Sequence, residues 1–331
     1  MTDGRNILVT GGAGYVGSHA CKALTAAGYT PVVYDNLCRG HDWAVRFGPL
    51  EVGDLLDRGR LDEVFARHRP VAVLHFAALA YVGESVAAPL LYYRNNVMGS
   101  LTLIESMMAS GVESIVFSSS CAVYGAQGNA PLLEDLPPAP VNPYGASKRV
   151  VEGILVDSSH AYGLRHATLR YFNATGAAPE DGIGEDHDPE THLVPLVLDV
   201  AAGRRPEITV FGNDYDTPDG TCVRDYIHVM DLADAHVRAL EHLLADKGNL
   251  ILNLGSGAGY SVNEVIEAAR RVTGKSVRAV NGPRRAGDPP VLVADATRAG
   301  ELLGWRPVRA ALEDQIGDAW RWHQKHFGAT T

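Results

Sequence analysis

The chain has 331 residues, 46% of them hydrophobic, and a formal net charge of −10 with no Lys/Arg block, which suits one large or two ordinary globular domains and argues against nucleic acid and anionic membrane surfaces as partners. No apolar run approaches the ~18 residues of a membrane span, and MTDGRNILVT leads almost directly into an apolar strand pattern without room for a signal peptide. The four cysteines (Cys21, Cys38, Cys121, Cys222) form no CxxC pair, as expected of reduced thiols in a cytoplasmic protein.

In chain order, strand patterns fall at NILVT (6–10), TPVVYD (30–35), VAVLHFA (71–77), SIVFSSS (114–120) and HATLRYFN (166–173). Helical patterns lie between them over 16–27, 61–68 and 96–110. Near-continuous Val/Ile/Leu strands separated by helices predict an α/β fold, a doubly wound parallel Rossmann-type sheet covered on both faces. Pro, Gly and acidic residues then crowd 174–190 (ATGAAPEDGIGEDHDPE), which reads as a domain boundary. Residues 1–175 are thus expected to form a nucleotide-binding domain and 176–331 a smaller α/β substrate-binding domain, with the chain crossing between them. A helix over 193–202, a loop-rich stretch over 203–225 and helical patterns near 231–245 and 261–272 follow.

The first motif lies in ILVTGGAGYVGSHACKALTAAG, where Gly12, Gly14 and Gly17 satisfy G-x-G-x-x-G and Gly11, Gly14 and Gly17 a G-x-x-G-x-x-G spacing. The early glycines permit a tight turn close to a pyrophosphate, Gly17 lets helix pack on strand, and the helix N-terminus offers free N–H groups. Isolated glycine clusters are mostly ordinary turns; here a strand precedes, a helix follows, and Asp35 ends the next strand. An acid there accepts hydrogen bonds from a ribose diol and repels a 2′-phosphate, so NAD is expected rather than NADP.

The second motif is Tyr144 and Lys148 in NPYGASK. Asn142 and Pro143 read as a helix N-terminus, which puts Tyr144 and Lys148 on one face, four residues apart. A cation beside a phenol stabilises phenolate, so the pair is expected to bring Tyr144 from its usual pKa of about 10 toward physiological pH as a general base. In an arbitrary helix the pair would be a packed tyrosine beside a solvated lysine. The strand-end serines Ser118 to Ser120 make it more specific, since ligands bind at the C-terminal edge of open parallel sheets.

With those residues in view, the sequence resembles the extended short-chain dehydrogenase/reductase family, and within it the enzymes that invert UDP-hexoses at C4. The matching stretches are VTGGAGYVGSH, DNLCRG, HFAALAYVGESVAAPLLYYRNNV, FSSSCAVYG, PYGASK, LRYFNATGA, FGNDYDTPDGTCVRDYIHVMDLADAH and RRAGDPP, nearly the whole chain. The resemblance implies reversible NAD-dependent 4-epimerisation of UDP-glucose and UDP-galactose through a 4-keto intermediate. Tyr144 would be the base, Ser120 its partner, and Lys148 the ligand of the nicotinamide ribose. It places Gly11, Gly14, Tyr15, Val16, Asp35, Asn36, Asp54, Leu55, Phe76, Ala77, Asn95, Ser118 and Tyr171, with Tyr144 and Lys148, at the NAD. It places Ser120, Tyr144, Asn173, His192, Leu193, Phe211, Arg224, Arg285 and Asp288 at the UDP-sugar; guanidinium groups pair well with a diphosphate.

Three positions depart from the family pattern: Ala80 stands where a lysine is common, His192 where an asparagine is, and Leu292 where a tyrosine or smaller residue faces the sugar. UDP-N-acetylglucosamine and UDP-xylose therefore stay open as substrates. A related dehydratase is disfavoured because Cys121 and Ala122 stand where an Asp-Glu pair would be needed, and a decarboxylase because no charge for a uronate is evident. A non-catalytic NAD sensor is disfavoured because Tyr144, Lys148 and the arginines are all present. By similarity a homodimer is expected, through helices over 89–110 and 144–162. The 13 histidines form no HxxxH or Cys/His cluster, so no metal is expected.

Overall fold

The computed structural model describes residues 5–285 and 288–328. Its strands, in chain order, are β1 (Asn6–Thr10), β2 (Thr30–Asp35), β3 (Leu50–Val52), β4 (Ala72–His75), β5 (Ser114–Ser118), β6 (Arg165–Tyr171), β7 (Asn173–Thr175), β8 (Ile208–Phe211), β9 (Val223–His228), β10 (Leu250–Leu254), β11 (Gly259–Ser261), β12 (Ala279–Gly282) and β13 (Val291–Leu292). The helices are α1 (Tyr15–Ala26), α2 (Arg58–His68), α3 (Val82–Ala87), α4 (Pro89–Tyr92), α5 (Gly99–Ala109), α6 (Pro143–Tyr162), α7 (Leu193–Ala201), α8 (Val229–Leu244), α9 (Val262–Thr273), α10 (Thr297–Leu303) and α11 (Leu312–Phe327), and a π-helical turn over Tyr93–Met98 joins α4 to α5.

Seven strands form an all-parallel sheet in the order β3-β2-β1-β4-β5-β6-β10. Side chains alternate along each strand, so β1 sends Ile7 and Val9 into one core with Leu24, Leu232 and Leu240. Leu8 goes to the other, with Phe65, Leu103 and Leu155. Both faces are buried, which is why these strands read as unbroken apolar runs. The order reverses between β1 and β4, so a crevice opens at the C-terminal ends of the strands there.

The predicted strand over 166–173 is two strands: β6 ends at Tyr171, and β7 leaves the large sheet to pair with β9. Phe172 makes the break, turning into a small core with Val123, Tyr124 and Leu132. In a four-stranded sheet β9 also pairs with β11 and β13, and β8 pairs with β12. Helices α7, α9 and α11 cover these around Val197, Ile266 and Ile316. The chain passes 175/176 into this smaller body, then returns: α8 packs against α1 and β10 joins β6 at the edge of the large sheet.

Candidate active site

The glycine turn is shaped by what its neighbours exclude. Gly11 has φ 73°, and a Cβ there would stand 2.5 Å from the Ala77 nitrogen; one on Gly17 would stand 2.2 Å from the Gly11 carbonyl oxygen. The turn therefore lies flat against the end of β4, and α1 begins at Tyr15 with no side-chain cap from Gly14. The N–H groups of Tyr15 and Val16 in this first turn have no intrahelical acceptor and suit an anion. Tyr15's hydroxyl is occupied, donating to the Gly176 carbonyl at 2.7 Å. Asp35, at the end of β2, accepts from Ala13 N at 3.0 Å and Leu37 N at 2.8 Å, so it both braces the glycine turn and faces the crevice. Burial raises its pKa. Beside it, Asn36 donates to Asp54 at 2.9 Å, and Leu55 is buried against Gly99. The Phe76 and Ala77 N–H groups both donate to the Thr10 carbonyl, at 2.9 and 3.0 Å.

The opening turn of α6 forms as its sequence directs. Asn142 accepts from Gly145 N at 2.9 Å, and Pro143 takes the first helical position. Tyr144 then faces Ser120, which follows β5 and hydrogen-bonds its phenol. Lys148, 3% exposed, donates to the Ser118 carbonyl at 2.8 Å and lies 5.9 Å from the Tyr144 ring centroid. Ser118 Oγ shares a hydrogen bond with the Tyr171 hydroxyl at 2.5 Å. Strand ends β5 and β6 and helix α6 thus bring Ser118, Ser120, Tyr144, Lys148 and Tyr171 to one point, across the crevice from the glycine turn.

The electrostatics differ from the sequence-based expectation. The Tyr144 phenol is held well above its usual pKa, first by burial and then by Tyr171, with the Ser120 hydrogen bond opposing. Lys148 does not reverse this, because its own ammonium is pushed down to about 7 by burial, against an upward pull from Glu152. Lowering the phenol needs a permanent positive charge, which an oxidised nicotinamide carries.

A pH signature follows in protein stripped of cofactor. Folding takes Lys148 from its ordinary 10.5 to about 7, so the unfolded chain binds more protons between those values. Unfolding free energy should therefore rise with pH from about 7 toward 10.5. Lys148→Met should flatten that rise; identical pH slopes for the two proteins in urea titrations would count against this account.

These residues fit a dinucleotide: a glycine cradle closed to any Cβ, a helix N-terminus, a carboxylate at the end of β2, and a buried ammonium that has three donors and one acceptor within the chain.

The substrate candidates sit on the smaller body. Asn173 donates to the Asp225 carbonyl at 3.0 Å. Arg224 on β9 is half-buried, with Nη1 donating to its neighbour Val223's carbonyl at 2.9 Å. Arg285 lies over the Phe211 ring at 5.0 Å and pairs with Asp288 at 2.9 Å, while Ala286 and Gly287 between them fall outside the described residues. Leu193 opens α7 with His192 as its N-cap residue, and Leu292 packs beside Cys121. Ala80 is exposed.

Sequence reasoning missed the supports of the site. Asn96, in the π-helical turn, accepts from Leu79 N and donates to Leu79 O and Ser147 Oγ, holding the loop after β4 to α6; its neighbour Asn95 donates to it at 2.9 Å. Glu152 lies behind Ser119 and Arg170. A glutamate eight residues after Tyr144 carries no signal of burial in the sequence.

Comparison with known proteins agrees with this geometry. A model of the NAD dependent epimerase/dehydratase family matches residues 7–255. The UDP-glucose 4-epimerase of Rhizobium meliloti (strain 1021) is 52% identical over 322 residues, 97% of each chain. The crystal structure of UDP-glucose 4-epimerase from Brucella ovis in complex with NAD superposes with a TM-score of 0.94 at 51% identity, over 98% of both chains. That of the Bifidobacterium longum enzyme with NAD+ and UDP gives 0.93 at 39%, over 98% of this chain and 99% of that one. By its matched family model, its near full-length relatives and its fold, the chain belongs to the NAD dependent epimerase/dehydratase family.

Proposed function

We infer that the chain catalyses reversible NAD-dependent 4-epimerisation of UDP-glucose and UDP-galactose through a 4-keto sugar. The observation that carries this is the convergence of Ser120, Tyr144 and Lys148 beside the glycine turn, in a chain whose near full-length relatives are UDP-glucose 4-epimerases.

The residues divide the work as follows. Bound NAD supplies a hydride acceptor that gives the same hydride back, so C4 can be inverted with no net oxidation. Tyr144 Oη takes the proton of the sugar 4-hydroxyl and returns it once the ring has turned over. Ser120 Oγ aligns that hydroxyl with the phenol, and Lys148 Nζ holds the nicotinamide ribose. Arg224 and Arg285 hold the diphosphate, Asp288 orienting the Arg285 guanidinium. Firm hold on the nucleotide and loose hold on the hexose let the ketone present either face.

The test is to give purified protein UDP-galactose without added NAD. UDP-glucose should form, and heat-released NAD should approach one per chain. A folded, NAD-loaded protein that leaves UDP-galactose unchanged, or one that consumes NAD stoichiometrically, would sink the reading. UDP-N-acetylgalactosamine and UDP-xylose in parallel would show what Leu292 and His192 admit.

The same reading extends to a homodimer and a cytoplasmic setting. Leu90 is 81% exposed, and Val86, Leu91, Met98 and Val150 are exposed along α3 to α6, an apolar surface of the kind two copies cover. Sedimentation of the 35.4 kDa chain at its monomer mass at micromolar concentration would refute this. The four unpaired cysteines suit a reducing compartment, and fewer than four free thiols in freshly isolated protein would tell against it. Among the described residues no helix is long and apolar enough to cross a membrane.

A further inference from the structure

The segment leading into α7 carries a cluster that the epimerase chemistry does not use. Residues 185–192 read EDHDPETH, and the loop brings one donor atom each from Glu185, His187, Glu190 and His192 within 4.8 Å of one another. His192 Nδ1 lies 2.9 Å from Glu185 Oε1 and 3.1 Å from Glu190 Oε1. His187 Nδ1 lies 3.5 Å from Glu185 Oε1 and 3.4 Å from Glu190 Oε2. Four bonds of about 2.1 Å to a tetrahedral zinc ion set neighbouring donors about 3.4 Å apart, and the four separations straddle that edge.

The charge balance points the same way. The side chains of Glu185 and Glu190 are only 9% and 13% exposed. The other glutamates buried to this degree each meet arginine: Glu51 with Arg60 and Arg67, Glu134 with Arg298, Glu152 with Arg170. Among the described residues, Glu185 and Glu190 have only the two imidazoles. Arg39, on the neighbouring loop, is taken up by Glu84 at 3.0 Å and by the Tyr81 ring.

A separate observation comes from Tyr81, nine-tenths buried, whose hydroxyl has no partner. Its ring meets His187 edge-on at 6.1 Å. Burial first, and then Glu190, Glu84 and Glu185 against Arg39, push its phenol up to about 12, so the hydroxyl is near those carboxylates.

The alternative occupant of the cluster is a proton. Burial lowers the His192 pKa, but Glu185 and Glu190 outweigh that and raise it to about 10. A single imidazolium offsets one of two carboxylates; a divalent cation offsets both and displaces the proton.

We propose that Glu185, His187, Glu190 and His192 form a binding site for a divalent transition-metal cation, of which zinc is the best-suited, tying the 185–192 loop to the start of α7. Two imidazoles and two carboxylates suit zinc and its first-row neighbours better than calcium or magnesium. The site is distinct from the Tyr144 centre and asks nothing of the epimerase reading.

The test uses NAD-loaded protein, purified without chelator, dialysed and titrated with cobalt(II). One cobalt per chain with the intense visible absorption of a four-coordinate ion is expected, and one equivalent of zinc should bleach it. His187→Ala and Glu190→Gln should each weaken binding about tenfold or more. Should either variant fail to fold, the unaltered protein still decides: zinc should raise its Tm and EDTA should reverse the rise. A Tm indifferent to both, an octahedral cobalt spectrum only, or binding unchanged in the two variants would overturn the proposal. Neither readout involves turnover, so a failed metal site and a failed epimerase are told apart.

Discussion

Tyr144→Phe should keep its fold and its NAD and lose epimerisation by roughly 10²- to 10⁴-fold, the range for removing a positioned acid–base group. The phenyl ring would still fill the first turn of α6, since Pro143 and the Asn142 cap do not depend on the hydroxyl. The lost Ser120 hydrogen bond costs about 1 kcal/mol of stability at most. What disappears is the oxygen that Ser120 and the chain beside Lys148 hold ready for the 4-hydroxyl proton. The loss should appear in kcat rather than KM, because Arg224 and Arg285 bind the distant diphosphate. In the unaltered enzyme kcat should climb with pH, since burial raises the phenol above its usual value and the ionised base is the minor form. A Tyr144→Phe enzyme that turns over at an undiminished rate, or an unaltered enzyme whose rate is independent of pH on the acid side, would remove Tyr144 from the chemistry.

Five strands of the large sheet were legible because a parallel sheet buried on both faces leaves an unbroken apolar run, and β1 and β2 begin and end where the patterns 6–10 and 30–35 put them. The start of α6 was legible from Asn142 and Pro143. The sheet's other two strands were not. β3 has three residues, LEV, with a glutamate at its centre, too short for periodicity to register. β10, LILNL, lies far beyond the Pro/Gly-rich boundary, and its place beside β6 depends on the chain returning to the large sheet. Asn253 interrupts its apolar run for a reason visible only in three dimensions: it accepts from Tyr124 Oη at 2.7 Å and donates to the Leu132 carbonyl at 2.8 Å. The site divides likewise. Residues that touch ligands are announced by type and spacing, whereas the phenol's ionisation depends on burial, which reversed the effect expected of Lys148. The EDHDPETH cluster escaped because loop geometry, not helical spacing, gathers its donors.

Glu152→Gln should destabilise the protein by about 3–5 kcal/mol, the effect of stripping one partner from a buried ion pair. Glu152 is 1% exposed and Arg170 3%. The carboxylate accepts from Arg170 Nε at 2.9 Å and Nη2 at 2.8 Å, and from Ser119 Oγ at 2.7 Å. Burial works against the arginine's charge, and Glu152 outweighs it, holding Arg170 above its ordinary pKa. The amide keeps the shape and one acceptor oxygen but no charge, leaving a guanidinium that cannot deprotonate in the interior. Because Arg170 Nη1 also donates to Tyr124 Oη at 3.0 Å and to the Glu134 carbonyl at 3.2 Å, it has no route to solvent without breaking the core behind β5. A lower urea midpoint with an unchanged m-value is the expected reading. Glu152→Leu combined with Arg170→Met should recover most of the loss, since an apolar pair of similar volume often matches a buried ion pair. If Glu152→Gln shifts stability by less than about 1 kcal/mol, the pair is not what holds this layer together. Activity adds a second discrimination: Ser119 hangs on Glu152 and Ser120 follows it, so the variant should also lose kcat at temperatures where it remains folded, placing Glu152 as a positioning residue one layer behind Tyr144.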